Sequence, residues 1–156
     1  MPDEDAPPAE LNPGTVFEFF NEIGIIQQLS RAMFEARLPD GMIVQHFSVL
    51  NHLIRVADGR TPLELSRAFQ VPKASLTNTL SGLEKRGFIE MRRHPTDGRS
   101  KQVWLTEEGR AFREEAIRLL VPDIMALSDK LNIDQLTRLT PQLAEIRKIL
   151  DDNRSA

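Results

Sequence analysis

The stretch HPTDGRSKQVWLTEEG, His94 to Gly109, decides the fold. Gly98 sits between Asp97 and Arg99, and a glycine flanked by short polar residues marks a tight turn. After it, KQVWL (Lys101–Leu105) has the composition of a strand, and Thr106 followed by Glu107 and Glu108 reads as a helix start. The threonine caps the free N–H groups, and the two acids face the positive end of the helix dipole. Just before the turn, FIEMRRH (Phe88–His94) reads as a second strand, and PTDGRS is short enough to close a hairpin between the two. Asp97 and Arg99 are oppositely charged and two apart at its tip. Their spacing lets the carboxylate hold either the guanidinium or the turn backbone, so that less side-chain freedom remains to be lost on binding.

Working back from the hairpin, VPKASLTNTLSGLEKRG (Val71–Gly87) places Leu76, Leu80 and Leu83 at i, i+4 and i+7. They bury one helix face and leave Ser75, Thr77, Asn78 and Ser81 on the others, with Gly87 as the stop. Before it, TPLELSRAFQV opens with Thr61 as cap, Pro62 at the first helical position and Glu64 three residues after the cap, which predicts a short helix. MIVQHFSVLNHLIRVADG, Met42 onward, predicts another, ending at Asp58 and Gly59. Three short helices followed by a hairpin form a winged helix-turn-helix pattern.

The two ends of the chain are helical in pattern. From Thr15 to Leu38, the residues Val16, Phe19, Phe20, Ile23, Ile26, Leu29 and Met33 spread over more than the ~100° stripe that one core requires. After Thr106, apolar residues continue through Phe112, Ile117, Leu120, Ile124, Leu127 and Leu131, with Pro122 expected to kink the helix. The tail sets Leu136, Leu139, Leu143, Ile146 and Leu150 in the three-four spacing of a helix laid on another helix, and Pro141 leaves open whether it is one helix or two. Apolar arcs too wide for one core predict that these ends pack against the same helices of a second copy.

The composition excludes several classes of function. There is no cysteine, which removes disulfides, zinc–thiolate sites, thiol nucleophiles and cysteine-based peroxide sensing, and fits a reducing cytoplasm. No apolar run approaches the ~18 residues of a membrane span. The opening MPDEDAPPAELNPG, residues 1–14, is acidic and proline-rich where a secretory signal needs positive charge and then an apolar stretch; it is expected to be a disordered arm. His46 and His52, six apart on one helix, do not share a face, and His94 lies on the hairpin, so neither a metal nor another cofactor is expected. Glu107–Glu108 and Glu114–Glu115 are adjacent helical residues that point apart, and no nucleophile elbow or phosphate loop is present, which argues against an enzyme.

Charge points elsewhere. The chain carries a formal net charge of −3, yet the segment from Arg60 to Leu105 holds nine bases against four acids, a balance of +5 on a remainder of −8. A local basic lobe is the footprint of a protein that meets phosphate with one face. In a helix-turn-helix the second helix lies in the major groove of double-stranded DNA, where side chains must be short or polar to reach base edges. Lys73, Ala74, Ser75, Thr77, Asn78 and Ser81 meet that demand. Asn78 can pair with an adenine edge in bidentate fashion, Ser75 and Thr77 can reach bases or phosphate, and Lys73 neutralises phosphate. At the hairpin tip Arg99 suits the negative potential of a narrow minor groove, with Asp97 supporting it and Arg92, Arg93 and Lys101 meeting phosphate from the strands. Trp104 can line a ligand crevice or cover the lobe, and covering is the expectation.

These residues carry a specific likeness. LEKRGFIEMRR, followed by DGRSKQVWLTEEG with its Asp-x-Arg wing and Leu-Thr helix start, resembles the MarR family of bacterial transcriptional regulators, and the likeness covers nearly the whole chain. It implies a homodimeric repressor, occasionally an activator, on a pseudo-palindromic operator. It also implies release when a small, often aromatic or phenolic, ligand occupies a crevice between the dimer and DNA lobes. The chain departs from the family at Asn78, often arginine there, and at Ser81 and Gly82, often acidic then basic. The fold class expected is mainly α with a small β-hairpin wing. A winged helix-turn-helix lobe at residues 42–106 is flanked by an N-terminal dimerisation helix at 15–41 and C-terminal dimerisation helices at 107–156. The competing reading is a winged-helix module that binds a protein or ligand and has lost operator binding.

Overall fold

The structure is a computed structural model that describes residues 12–154. Its elements are α1 (Pro13–Glu35), α2 (Val44–Arg55), α3 (Pro62–Phe69), α4 (Lys73–Lys85), β1 (Ile89–Arg93), β2 (Lys101–Leu105), α5 (Glu107–Ser128) and α6 (Ile133–Asn153). The chain divides into two compact units, one up to Arg110 and one from Ala111. Mainly α with one antiparallel hairpin is the architecture expected of the sequence.

Within the first unit, α1 begins ahead of Thr15. The Asn12 side chain accepts from the Gly14 N–H at 2.9 Å, and Pro13 takes the first helical position, where its missing N–H costs nothing. Residues 12–14, expected to belong to the arm, therefore start the helix; the rest of the arm lies outside the described residues. At the other end the helix stops at Glu35 rather than running to Leu38. The Glu35 carboxylate accepts from the Val44 N–H at 2.9 Å and from Arg31 Nε at 3.0 Å, tying the start of α2 to the end of α1.

Helix α2 stops at Arg55, short of the expected Asp58 and Gly59. Asp58 does different work: its Oδ1 accepts from the Gly59 N–H at 2.9 Å and from the Leu105 N–H at 3.0 Å, fastening the loop to β2. Beside it, the Val103 N–H donates to the Arg60 carbonyl at 2.8 Å, giving the hairpin a one-residue third strand. Helix α3 opens with the predicted capping box, the Glu64 N–H donating to Thr61 Oγ1 and the Thr61 N–H to Glu64 Oε2. It ends at Gln70, which adopts the left-handed conformation (φ 52°).

Helix α4 buries Leu76, Leu80 and Leu83, as their spacing requires, and packs on α2, α3 and β1. With Val49, Leu50, Leu53, Leu65, Ile89 and Val103 these form the core of the lobe. Each fully buried leucine contributes roughly 2 kcal/mol of transfer free energy. β1 and β2 pair antiparallel, Ile89 opposite Leu105 and Arg93 opposite Lys101.

The two glycines of the opening stretch turn out to differ. Gly98 has no left-handed φ, and a Cβ there would meet nothing, so the turn does not depend on it. Gly109 is the indispensable one: a Cβ would lie 2.0 Å from the Phe88 carbonyl oxygen. That carbonyl accepts from the Thr106 N–H, while Thr106 Oγ1 donates to the Gly87 carbonyl and accepts from the Gly109 N–H at 3.0 Å. The first turn of α5 is thereby clamped onto the end of the α4–β1 connection.

In the second unit, α5 runs on through Pro122 and α6 through Pro141. The break between helices falls before Ile133, where Asn132 Oδ1 accepts from the Gln135 N–H at 3.0 Å, and not at Pro141. Among the described residues no helix is long and apolar enough to cross a membrane.

Replacing Gly109 by alanine is expected to cost more than about 2 kcal/mol, because a backbone atom cannot give way, while Gly98→Ala stays within about 0.5 kcal/mol of the parent. Urea denaturation of the two variants checks this, and equal midpoints would contradict it.

Candidate nucleic-acid interface

Burial of Leu76, Thr79, Leu80 and Leu83 fixes which side of α4 faces outward. At 100° per residue, the opposite stripe consists of Ala74, Asn78, Ser81 and Lys85, all exposed. Lys73 and Thr77 flank it on one side and Ser75 on the other, exposed as well. Every residue expected for a recognition helix thus lies outside the core. Lys85 was not among them, although extending the i, i+4, i+7 series by one more turn from Ala74 reaches it. The Thr77 hydroxyl donates to the Lys73 carbonyl at 2.9 Å, which leaves its oxygen lone pairs as acceptors.

The seating of α4 explains the glycine in its interior. A Cβ at Gly82 would lie 2.9 Å from Nε2 of His46, so the helix can press against α2 only because no side chain intervenes. His46 is itself held: its Nδ1 accepts from the Ile43 N–H at 3.0 Å. Arg86, following α4, donates to the Asp40 carbonyl. Gly82, which costs about 1 kcal/mol of helix propensity relative to alanine, is therefore a packing residue. Burial, reinforced by the Arg86 charge, holds the His46 imidazole below its ordinary value of 6.5. Burial and the Arg60 charge do the same to His52, whose ring lies 5.3 Å from that of Phe69.

At the wing tip, Asp97 holds the backbone and not the guanidinium. Its Oδ1 accepts from the Arg99 N–H at 3.1 Å, and its carbonyl accepts from the Ser100 N–H at 3.0 Å to close a β-turn. Arg99 is exposed, as are Arg93 and Lys101. Arg92 is differently placed. It pairs with Glu90 and lies over the Trp104 ring, 5.0 Å from its centroid, so much of its charge is already matched. Trp104 covers Gly59, at which a Cβ would come within 2.5 Å of the ring; the expectation that it shields the lobe agrees with this packing. Among the described residues no cluster of three histidine, aspartate or glutamate side chains could hold a metal ion.

The chain is similar to several known proteins. Residues 40–100 match the model of the MarR family. Over 138 residues the chain is 30% identical to the multiple antibiotic resistance protein MarR of Escherichia coli, covering 83% of this chain and 95% of that protein. It is 31% identical over 108 residues to the transcriptional repressor YetL of Bacillus subtilis; that match takes in 69% of this chain and 65% of YetL. Among solved structures, the repressor CouR bound to a 23-mer DNA duplex superposes with a TM-score of 0.71 at 27% identity, covering 89% of this chain and 99% of CouR. A mutant of the E. coli MarR protein complexed with operator DNA gives 0.68 at 27% identity, covering 88% and 99%.

The position of His46 beneath α4 has a pH consequence. With its folded-state value depressed, the native ring takes up its proton at lower pH than the unfolded chain, which does so near 6.5. Stability is then full above that value and is lost as the pH falls below it, His52 acting in the same direction. Urea midpoints taken about one unit above and about one unit below 6.5 should decrease toward acid, and His46→Gln should flatten part of the slope. An identical midpoint at both pH values would contradict the burial argument.

Proposed function

This chain belongs to the MarR family of transcriptional regulators, and on that premise we propose that it acts as a homodimeric repressor on a pseudo-palindromic duplex site. In this reading α4 enters the major groove with Ala74, Asn78 and Ser81 toward the base edges and Ser75 and Thr77 toward bases or sugar-phosphate. Lys73 meets phosphate near the helix start. The wing carries Arg99 into the adjacent minor groove on a turn held by Asp97, and Arg93, Lys101 and the partly matched Arg92 meet phosphate from the strands. Members of the family are regulators and not enzymes.

The observation that carries the reading is the outward stripe of α4. It is a row of small and polar side chains, opposite a leucine face, in the same compact unit as a basic hairpin tip. An incidental helix surface would be free to carry long acidic residues there; this one carries none between Lys73 and Ser81. The relatives whose structures contain operator or duplex DNA support the same assignment. Dimerisation has its own support. α1 has no buried residue and exposes Val16, Phe17, Phe20, Ile26 and Leu29, and α6 separately exposes Leu136, Leu139, Leu143 and Leu150. Apolar surface on that scale needs a partner, and a second copy supplies a self-complementary one. Action in the cytoplasm and release by a small aromatic or phenolic ligand complete the proposal, on the strength of the family resemblance.

The test is binding to duplexes selected from a random pool. Arg99→Ala, with its fold intact, should weaken specific binding by at least about 1 kcal/mol, and Lys73→Ala should mainly lower the dependence of affinity on salt, by about one in the log–log slope. Unchanged affinity in Arg99→Ala would favour a winged-helix module without operator binding.

A further inference from the structure

We propose that His94 is the positioning residue of the wing, its imidazole fixing the turn that presents Arg99. The inference rests on the proposed duplex-binding role and adds to it a residue that touches no DNA.

The loop from His94 to Ser100 is held from one end by a single residue. The His94 N–H donates to the Ser100 carbonyl at 3.0 Å, closing the loop across its base. The ring of the same residue then turns inward: Nδ1 accepts from the Asp97 N–H at 3.1 Å and lies 3.3 Å from the Thr96 N–H. Pro95 has no N–H, so these are the first two donors of the loop after His94 itself. With Asp97 anchored through its amide, its carboxylate is placed to accept from the Arg99 N–H, and its carbonyl to accept from Ser100. Order thus passes from the His94 ring to the Asp97 backbone, and from the Asp97 side chain to Arg99.

Gly98 contributes no conformational requirement to this turn, so its geometry comes from these side-chain acceptors together with the two backbone bonds to and from Ser100. Accepting two N–H groups requires Nδ1 to be unprotonated, which leaves the ring proton on Nε2. An asparagine at position 94 would offer Oδ1 at the same bond count from the backbone as Nδ1. A glutamine would offer its oxygen one bond further out, where Nε2 stands, and would miss both donors. This difference separates a positioning role from mere occupancy of space.

The experiment compares His94→Ala, His94→Asn and His94→Gln in the full chain, after thermal melts establish that all three fold. Without DNA, amide exchange at Thr96, Asp97 and Arg99 should accelerate in the alanine and glutamine variants and remain near wild type in the asparagine variant. Affinity for the duplex that the wild type selects from a random pool should fall about fivefold in the first two, the cost of ordering a freed loop, and stay within about twofold in His94→Asn. Rescue by glutamine as complete as by asparagine overturns the proposal, as does wild-type affinity in His94→Ala. A wild-type protein that selects no duplex refutes the DNA-binding reading itself, a result distinct from an alanine variant that binds as well as its parent.

Discussion

What α4 presents to solvent depends on one constraint: its leucine face must be buried. Leu76, Leu80 and Leu83 lie on one side of a helix that packs on α2, α3 and β1, and their burial fixes the helix rotation to within a fraction of a turn. A helix so fixed has no choice about its opposite stripe. Gly82 adds the second half of the constraint, since the contact with His46 sets how closely α4 lies on α2. Conformational freedom at the proposed interface has therefore been removed before any partner arrives, which lowers the entropy that association must overcome.

The wing obeys the same logic with weaker forces. Its strands are anchored by Val103 in the core, by Asp58 accepting from Leu105 and by Trp104 over Gly59, whereas its tip is held by exposed hydrogen bonds alone. Individual hydrogen bonds in water contribute about 1 kcal/mol each, so a tip held by several of them is ordered but open to adjustment. A rigid helix beside an adjustable basic finger suits a surface that must read base edges with one element and follow backbone shape with the other.

Much of this was legible in the sequence because the deciding chemistry is local. The Thr61–Glu64 capping box, the leucine spacing of α4, the glycine stop at Gly87 and the hairpin all depend on neighbours within one or two turns. What escaped depends on distant residues. The end of α2 could not be placed because Asp58 is used by Leu105, 47 positions later. Gly109 looks like an ordinary helix glycine until the Phe88 carbonyl is set against it, the close approach that Gly82 permits is to His46 of another helix and not to DNA, and Gly98, the obvious turn glycine, proves dispensable. Pro141 suggested a fresh helix start. α6 nevertheless continues through it, because the carbonyl freed four residues back, that of Thr137, lies in an exposed stretch where water can satisfy it. Of the candidate site, the α4 residues follow from periodicity alone. The division of labour among the wing arginines does not, since it is the cross-strand register that brings the Trp104 ring under Arg92.

The central claim is that two copies of the α4 stripe and the Arg99-bearing wing address one duplex together. Hydroxyl-radical footprinting of the selected duplex tests it most directly. The account predicts two protected regions related by two-fold symmetry and centred about one helical turn apart, each flanked by protection of the neighbouring minor groove that is lost when Arg99 is replaced. A single asymmetric patch, or minor-groove protection that persists without Arg99, would contradict it.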